Sequence, residues 1–269
     1  MSYKTLLLTG LAWVATVSQV AESRPDITFL CNRMPEVCTN MCWAVRCASP
    51  KFPQTLNWDN PSEDTKNKRR KSAGCQKGNK CNKGKKGPGH RGGKYTSCDE
   101  YPFATTSNSK FPNGHQVSRC VPPVENSRQG KALQTVYGRF KKKGFKSHSL
   151  QIAFGNPGAR GVKYCNNQSC KNDGFQVQDG KIKKREEDPV FKFYRTSSGM
   201  ILGSLTKIDT PSNFTREVDE QEQKHVAAQF LETWKEPVEG EDVPVISDIV
   251  LEEMTFEEAM KSFDQGEAQ

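Results

Sequence analysis

Ten cysteines, an even number, all fall between Cys31 and Cys170 of a 269-residue chain. No other feature restricts the fold as strongly, because each bridge that closes removes conformations from the unfolded chain. Pairing needs an oxidising compartment, and the N-terminus carries the signal for one. Lys4 is followed by an apolar run from Leu6 to Val17, broken only by Thr9, Gly10 and Thr16, and then by the small residues Ala21 and Ser23 set two apart, the three-part pattern of a secretory signal peptide. About a dozen apolar residues fall short of the roughly 20 that span a bilayer, and no later segment is apolar enough to do so. Residues 1–23 are therefore read as a signal peptide, with the mature start near Ser23 or Arg24. The product is read as secreted and extracellular, with up to five disulfides. A zinc site is the rival use of the cysteines, but the spacings Cys75-x5-Cys81 and Cys165-x4-Cys170 make no paired CxxC knuckles. Connectivity is not deducible from spacing. The expected pairs are Cys98 with Cys120 and Cys165 with Cys170, leaving Cys31, Cys38, Cys42, Cys47, Cys75 and Cys81 for the rest. Asn167-Gln168-Ser169 and Asn213-Phe214-Thr215 are glycosylation acceptor patterns, which place Asn167 and Asn213 on surface loops.

Charge is segregated along the chain. Residues 216–269 hold 16 acidic and 4 basic side chains, whereas residues 1–215 hold 36 basic and 15 acidic, so the formal net charge of +9 combines a body of +21 with a tail of −12. Within the body, twelve Lys and Arg lie between Lys66 and Lys94 among Gly and Asn, with almost no apolar residue. Such a composition predicts a flexible basic insertion over 62–95, suited to sequence-independent attraction to a polyanion. A solvated insertion without a ligand is the plainer alternative.

Leu133, Val136, Tyr137 and Phe140 recur at i, i+3, i+4 and i+7, one apolar face of a helix. Asn126 or Ser127 is its expected N-cap, and Lys141 to Lys143 suit its C-terminal end. Short apolar runs at 150–154, 162–164, 175–177, 190–194 and 200–208 predict strands of an antiparallel sheet. The Cys-dense stretch 34–48 predicts a short disulfide-pinned helix. The domain plan is a body over 24–209 and an acidic C-terminal tail over 210–269, partly disordered or helical, with candidate helices at 226–234 and 246–263. The tail's charge also allows it to contact the protein's own basic surface.

Two acidic clusters stand inside this basic body: Ser97-Cys98-Asp99-Glu100-Tyr101-Pro102 and Arg119-Cys120-Val121-Pro122-Pro123-Val124-Glu125-Asn126-Ser127-Arg128. Carboxylates repel a phosphate backbone unless they hold a cation or move a proton. A hairpin from Asp99 toward Cys120, followed by the helix, brings both clusters together. Arg119, Arg128, Lys131 and the Arg69-Arg70-Lys71 run are then candidates to hold nucleic-acid phosphates. His115 is a competing base, but it follows Asn113-Gly114, a turn signal. No Gly-x-Ser-x-Gly elbow and no Gly-rich mononucleotide loop occurs.

The two motifs resemble those of the NucA/NucB deoxyribonuclease family. The spacing of Cys31, Cys38, Cys42 and Cys47, with Met34-Pro35-Glu36-Val37 and Asn40-Met41, resembles its secreted fungal members. The resemblance covers roughly residues 34–154 and leaves the acidic tail outside. It implies an α+β fold, a small disulfide-stabilised antiparallel sheet with helices around a ββα-metal (His-Me finger)-like nuclease core, in which an aspartate replaces the usual histidine base. It assigns Asp99 as general base with Glu100 beside it as a catalytic acidic residue. Glu125 is assigned to catalysis through transition-state or metal binding, with Asn126 as the second ligand. The bacterial pattern continues Asn-Arg-Gly, whereas here Ser127 intervenes before Arg128. The expected activity is endonucleolytic hydrolysis of DNA, with RNA as a second possible substrate, by a monomer assisted by a divalent cation, Mg or Mn. The alternatives are an inactive cationic DNA- or polyanion-binding effector on the same scaffold, and a matrix protein whose basic loop binds acidic glycans.

Overall fold

The first helix is held at both ends by sulfur. In the computed structural model, which describes residues 25–109, 116–182, 190–208, 210 and 250–266, strand β1 (Ile27–Leu30) leads into helix α1 (Pro35–Cys42), which runs on as a turn of π-helix over Trp43–Cys47. Cys31 pairs with Cys38 at the start of this unit, while Cys42 pairs with Cys165 and Cys47 with Cys170 at its end. The last two bridges each close 123 residues, so they tie the N-terminal helix to the far side of the sequence. Cys75 pairs with Cys98 and Cys81 with Cys120. The expected pairs Cys98–Cys120 and Cys165–Cys170 are therefore corrected. Cys98 and Cys120 do face each other across a strand pair, but each is bridged to the basic segment.

That segment is also built differently from the flexible insertion expected over 62–95. Strand β2 (Thr55–Trp58) precedes helix α2 (Glu63–Ser72). Ser62 caps the helix by accepting the Thr65 N–H at 3.2 Å, and acidic residues in the first turn and basic ones in the last match its dipole. Buried Arg69 anchors it through a two-pronged pair with Asp59 at 2.6 and 2.9 Å. Low hydrophobic content argued for disorder. The cap, the ion pair and two disulfides supply what apolar burial does not.

Strands β3 (Ser97–Tyr101) and β4 (Val117–Val121) form the expected antiparallel pair, joined on the far side of β4 by β6 (Val177–Gln178). Helix α3 (Pro123–Lys142) starts earlier than expected. Its N-cap is Pro122 with a proline at N1, where the missing N–H costs nothing, so Asn126 and Ser127 lie inside the first turns. Leu133, Val136, Tyr137 and Phe140 are buried, as their spacing predicts.

The second sheet is centred on β5 (His148–Gly155). Its first half pairs antiparallel with β2, and its second half lies between β1, in parallel, and β8 (Ile201–Ser204). The order continues through β7 (Lys192–Thr196) to β9 (Val250–Met254). The parallel β1–β5 contact departs from the purely antiparallel expectation, and residues 162–164 form turns rather than a strand. Alternate side chains of this sheet feed two clusters. Ile152, Phe154 and Phe193 face the main core with α1 and α3, while Ala153, Tyr194 and Leu202 face a smaller one.

The described end of the acidic tail is part of this sheet. Residues 250–254, expected within a helix, pair as β9 with β7, and helix α4 (Phe256–Gly266) follows. Thr255 and Glu258 cap α4 reciprocally, at 2.8 and 3.2 Å. Phe256 and Phe263 pack on Phe193. The signal peptide, Asn213, the candidate helix at 226–234, His115 and His225 lie outside the described residues. No described helix is long and apolar enough to cross a membrane.

Candidate active site

Asp99 sits near the middle of β3 with only 2 % of its surface exposed. A lone buried carboxylate is costly, so its partners are informative. Asn40, on α1, donates its Nδ2 to Asp99 Oδ2 at 2.8 Å and to the Asp99 backbone oxygen at 3.2 Å. The orientation of Asn40 is set from behind, because its Oδ1 accepts a hydrogen bond from Gln176 Nε2. Gln129, one helical turn beyond Glu125 on α3, bonds the Asp99 side chain as well. Burial nevertheless dominates and pushes the Asp99 carboxyl well above the usual carboxylate range; the Asn40 and Gln129 bonds pull it down, and the charges of Glu100 and Glu125 add to the rise.

Glu100, half-buried beside it, is pushed up to about 7 by burial, against the pull of the Arg70 charge and of the Ala104 N–H. Two neighbouring carboxyls are thus shifted toward neutrality, an arrangement enriched at sites of proton transfer.

Both line an open cleft of about 700 Å³. Helix α2 forms one wall with Glu63, Lys66 and Arg70, and helix α3 the other, from Asn126 to Lys141. Trp58 of β2 stacks on Tyr137 of α3, with ring centroids 5.4 Å apart. Asn126 is fixed on the α3 side by donating its Nδ2 to Ser97 Oγ at 2.8 Å and to Cys98 O at 3.1 Å. The hairpin and the helix therefore bring Asp99, Glu100 and Asn126 to one cleft, as the motif spacing suggests.

Glu125 takes another position. It is 8 % exposed, does not line the cleft, and accepts the backbone N–H groups of Glu36 at 2.8 Å and Val37 at 3.4 Å through Oε2. Helix α1 has no side-chain cap of its own, so a carboxylate from α3 completes its N-terminus. Desolvation raises the Glu125 carboxyl and these two bonds lower it.

The expected phosphate contacts divide. Arg119 is fully buried, and its guanidinium is engaged by Asp173 at 2.7 and 3.0 Å and by Glu36 at 2.8 Å, so it is a core ion-pair hub and not a surface for DNA. Arg69 is likewise spent on Asp59 and the Ala104 carbonyl. Arg128 donates to the Arg33 carbonyl at 2.7 Å. Arg70 lines the cleft, and Lys71 and Lys131 are exposed. Lys66 and Lys141, also on the cleft walls, were not singled out from sequence. Asn167 is part-buried, with its side-chain amide bonded to the Phe191 backbone in both directions.

Residues 41–147 match the family model Deoxyribonuclease NucA/NucB. That span contains β3, β4, α2 and α3, hence both cleft walls and both acidic motifs. No curated protein and no solved structure matches the chain. Asn40 and Gln176, which orient Asp99, lie just outside the matched span or far beyond it. Glu36 and Asp173, which hold Arg119, do as well.

Proposed function

We propose that this protein is a secreted, disulfide-stabilised endonuclease that hydrolyses phosphodiester bonds in DNA with little sequence preference, in the manner of the family its central span matches. One observation carries the reading: a buried acidic pair, Asp99 and Glu100, lies on a cleft whose walls present Lys66, Arg70 and Lys141. The cations draw in and hold the phosphate backbone. Asp99, aimed by Asn40, accepts a proton from the attacking water, and its raised affinity for protons makes it a stronger base once deprotonated. Glu100, near 7, is a second carboxyl able to hold or release a proton at neutral pH.

Among the described residues no group of three or more His, Cys, Asp or Glu side chains gathers as a metal cage. A Mg ion keeps several waters and takes only one or two carboxylates, a demand that the cleft-lining carboxyls and the Asn126 amide oxygen fit. A bound cation would supply charge neutralisation at the phosphate.

The test is plasmid cleavage by purified protein, with and without chelator, beside Asp99→Asn. Cleavage by the wild type, with loss of at least 100-fold in the folded variant and retained DNA binding, is the expected result. DNA binding without cleavage by the wild type points instead to the inactive binding protein. Wild-type rates in Asp99→Asn remove that residue from the mechanism.

A further inference from the structure

We propose that the substrate of this site is an unpaired DNA strand, threaded along the cleft between α2 and α3; the inference rests on the nuclease reading above and specifies its substrate. Asp99 is 2 % exposed, so a phosphodiester reaches it only by entering between the two helices. The α3 wall runs from Ser127 to Lys141, about 21 Å at about 1.5 Å per residue. A stacked strand rises about 3.4 Å per nucleotide, so this wall is about six nucleotides long, far more than one scissile phosphate requires.

The cleft is long but narrow. Its volume of about 700 Å³ over about 21 Å gives a mean cross-section of only about 33 Å². A duplex is much broader, since its major groove alone admits a helix about 10–12 Å across. One strand with its bases turned aside fits, and a duplex has to open or unstack to present a bond to Asp99. The distribution of charge agrees with this. Lys66 and Arg70 on one wall and Lys141 on the other form a track for a single backbone, with the acidic pair Asp99 and Glu100 along it, as in other clefts that follow one strand by its phosphates.

The α3 wall also carries Gly130 and Gly138 in the body of a helix, where glycine is unfavourable. A Cβ added at either position meets nothing within 4 Å. No packing inside the protein requires these glycines, and the space in front of them lies in the cleft.

The experiment compares a single-stranded oligonucleotide with its own duplex at one salt concentration, as kcat/KM for the wild type and as affinity for Asp99→Asn, and repeats both with Gly138→Leu. The expected result is at least a tenfold preference for the single strand in both readouts. Gly138→Leu should lower single-strand cleavage and affinity at least tenfold while the melting temperature stays level or rises. Gly138→Ala, with a smaller loss in the same direction, decides the matter if the leucine variant melts early. Equal use of duplex, or wild-type kinetics in a folded Gly138 variant, overturns the inference. Absence of cleavage on either substrate while Asp99→Asn still prefers the single strand defeats the nuclease reading and leaves the strand-binding cleft standing.

Discussion

Replacing Glu100 by Gln should stabilise the protein at alkaline pH and not at acid pH. In the folded chain this carboxyl is held near 7 by burial, against an ordinary value of 4.5. Between those values the folded state binds more protons than the unfolded one, so stability falls as pH rises through the window and the full penalty applies above about 7. The step corresponds to about 3 kcal/mol at about 1.36 kcal/mol per pKa unit. Because Glu100 keeps a solvent-facing edge and lies near Arg70, screening trims the expected gain to about 1–3 kcal/mol. Glutamine keeps the carbonyl that accepts the Ala104 N–H, so the swap removes the charge with little else. Urea unfolding of wild type and Glu100→Gln at pH 4 and pH 8, with equal m-values, measures the difference directly. A gain of the same size at both pH values, or none at pH 8, refutes the claim that Glu100 is held against its own ionisation.

Three further outcomes follow from the same geometry. Arg119→Met should destabilise the fold by about 3–5 kcal/mol by leaving Asp173 and Glu36 buried without their shared partner; denaturant melts at neutral pH check this, and a loss below about 1 kcal/mol contradicts the hub. Asn40→Ala removes a bond that lowers the Asp99 carboxyl, so the rising limb of the cleavage pH profile should move to higher pH; an unmoved limb in the folded variant argues against Asp99 as the titrating base. Deleting residues 250–269 strips β9 from the edge of β7 and uncovers Phe193, so the truncated protein should melt earlier and aggregate more. An equally stable, more active truncation would restore the idea that this end of the chain only restrains the basic body.

The parts of the fold visible in the sequence are those fixed by neighbours along the chain. The i, i+3, i+4, i+7 stripe of α3 and the β3–β4 pair each follow from local pattern, and with them the meeting of Asp99, Glu100 and Asn126. Asn40 and Gln176, 136 residues apart, show no such pattern, because their link to Asp99 exists only once α1 has packed against the hairpin. Glu125 was legible as an acidic residue of the right motif, yet its main contact is with a helix about 90 residues away. In the C-terminal segment a usable signal was present: Thr255-Phe256-Glu257-Glu258 is a capping box that starts α4 and so ends the helix expected over 246–263. Over 62–95, composition misled because it measures apolar burial and is blind to covalent cross-links.

The bridges Cys75–Cys98 and Cys81–Cys120 fasten the segment bearing α2 to the hairpin bearing Asp99. Until they form, the catalytic strand and the helix facing it are joined only by a long polar stretch. A chain kept reduced therefore has an incomplete cleft, and competence to cut DNA arrives with oxidation rather than with synthesis. For a cell that makes a nuclease to be used outside itself, this is a safeguard written into the covalent structure: its own genome shares a compartment only with the unfinished enzyme.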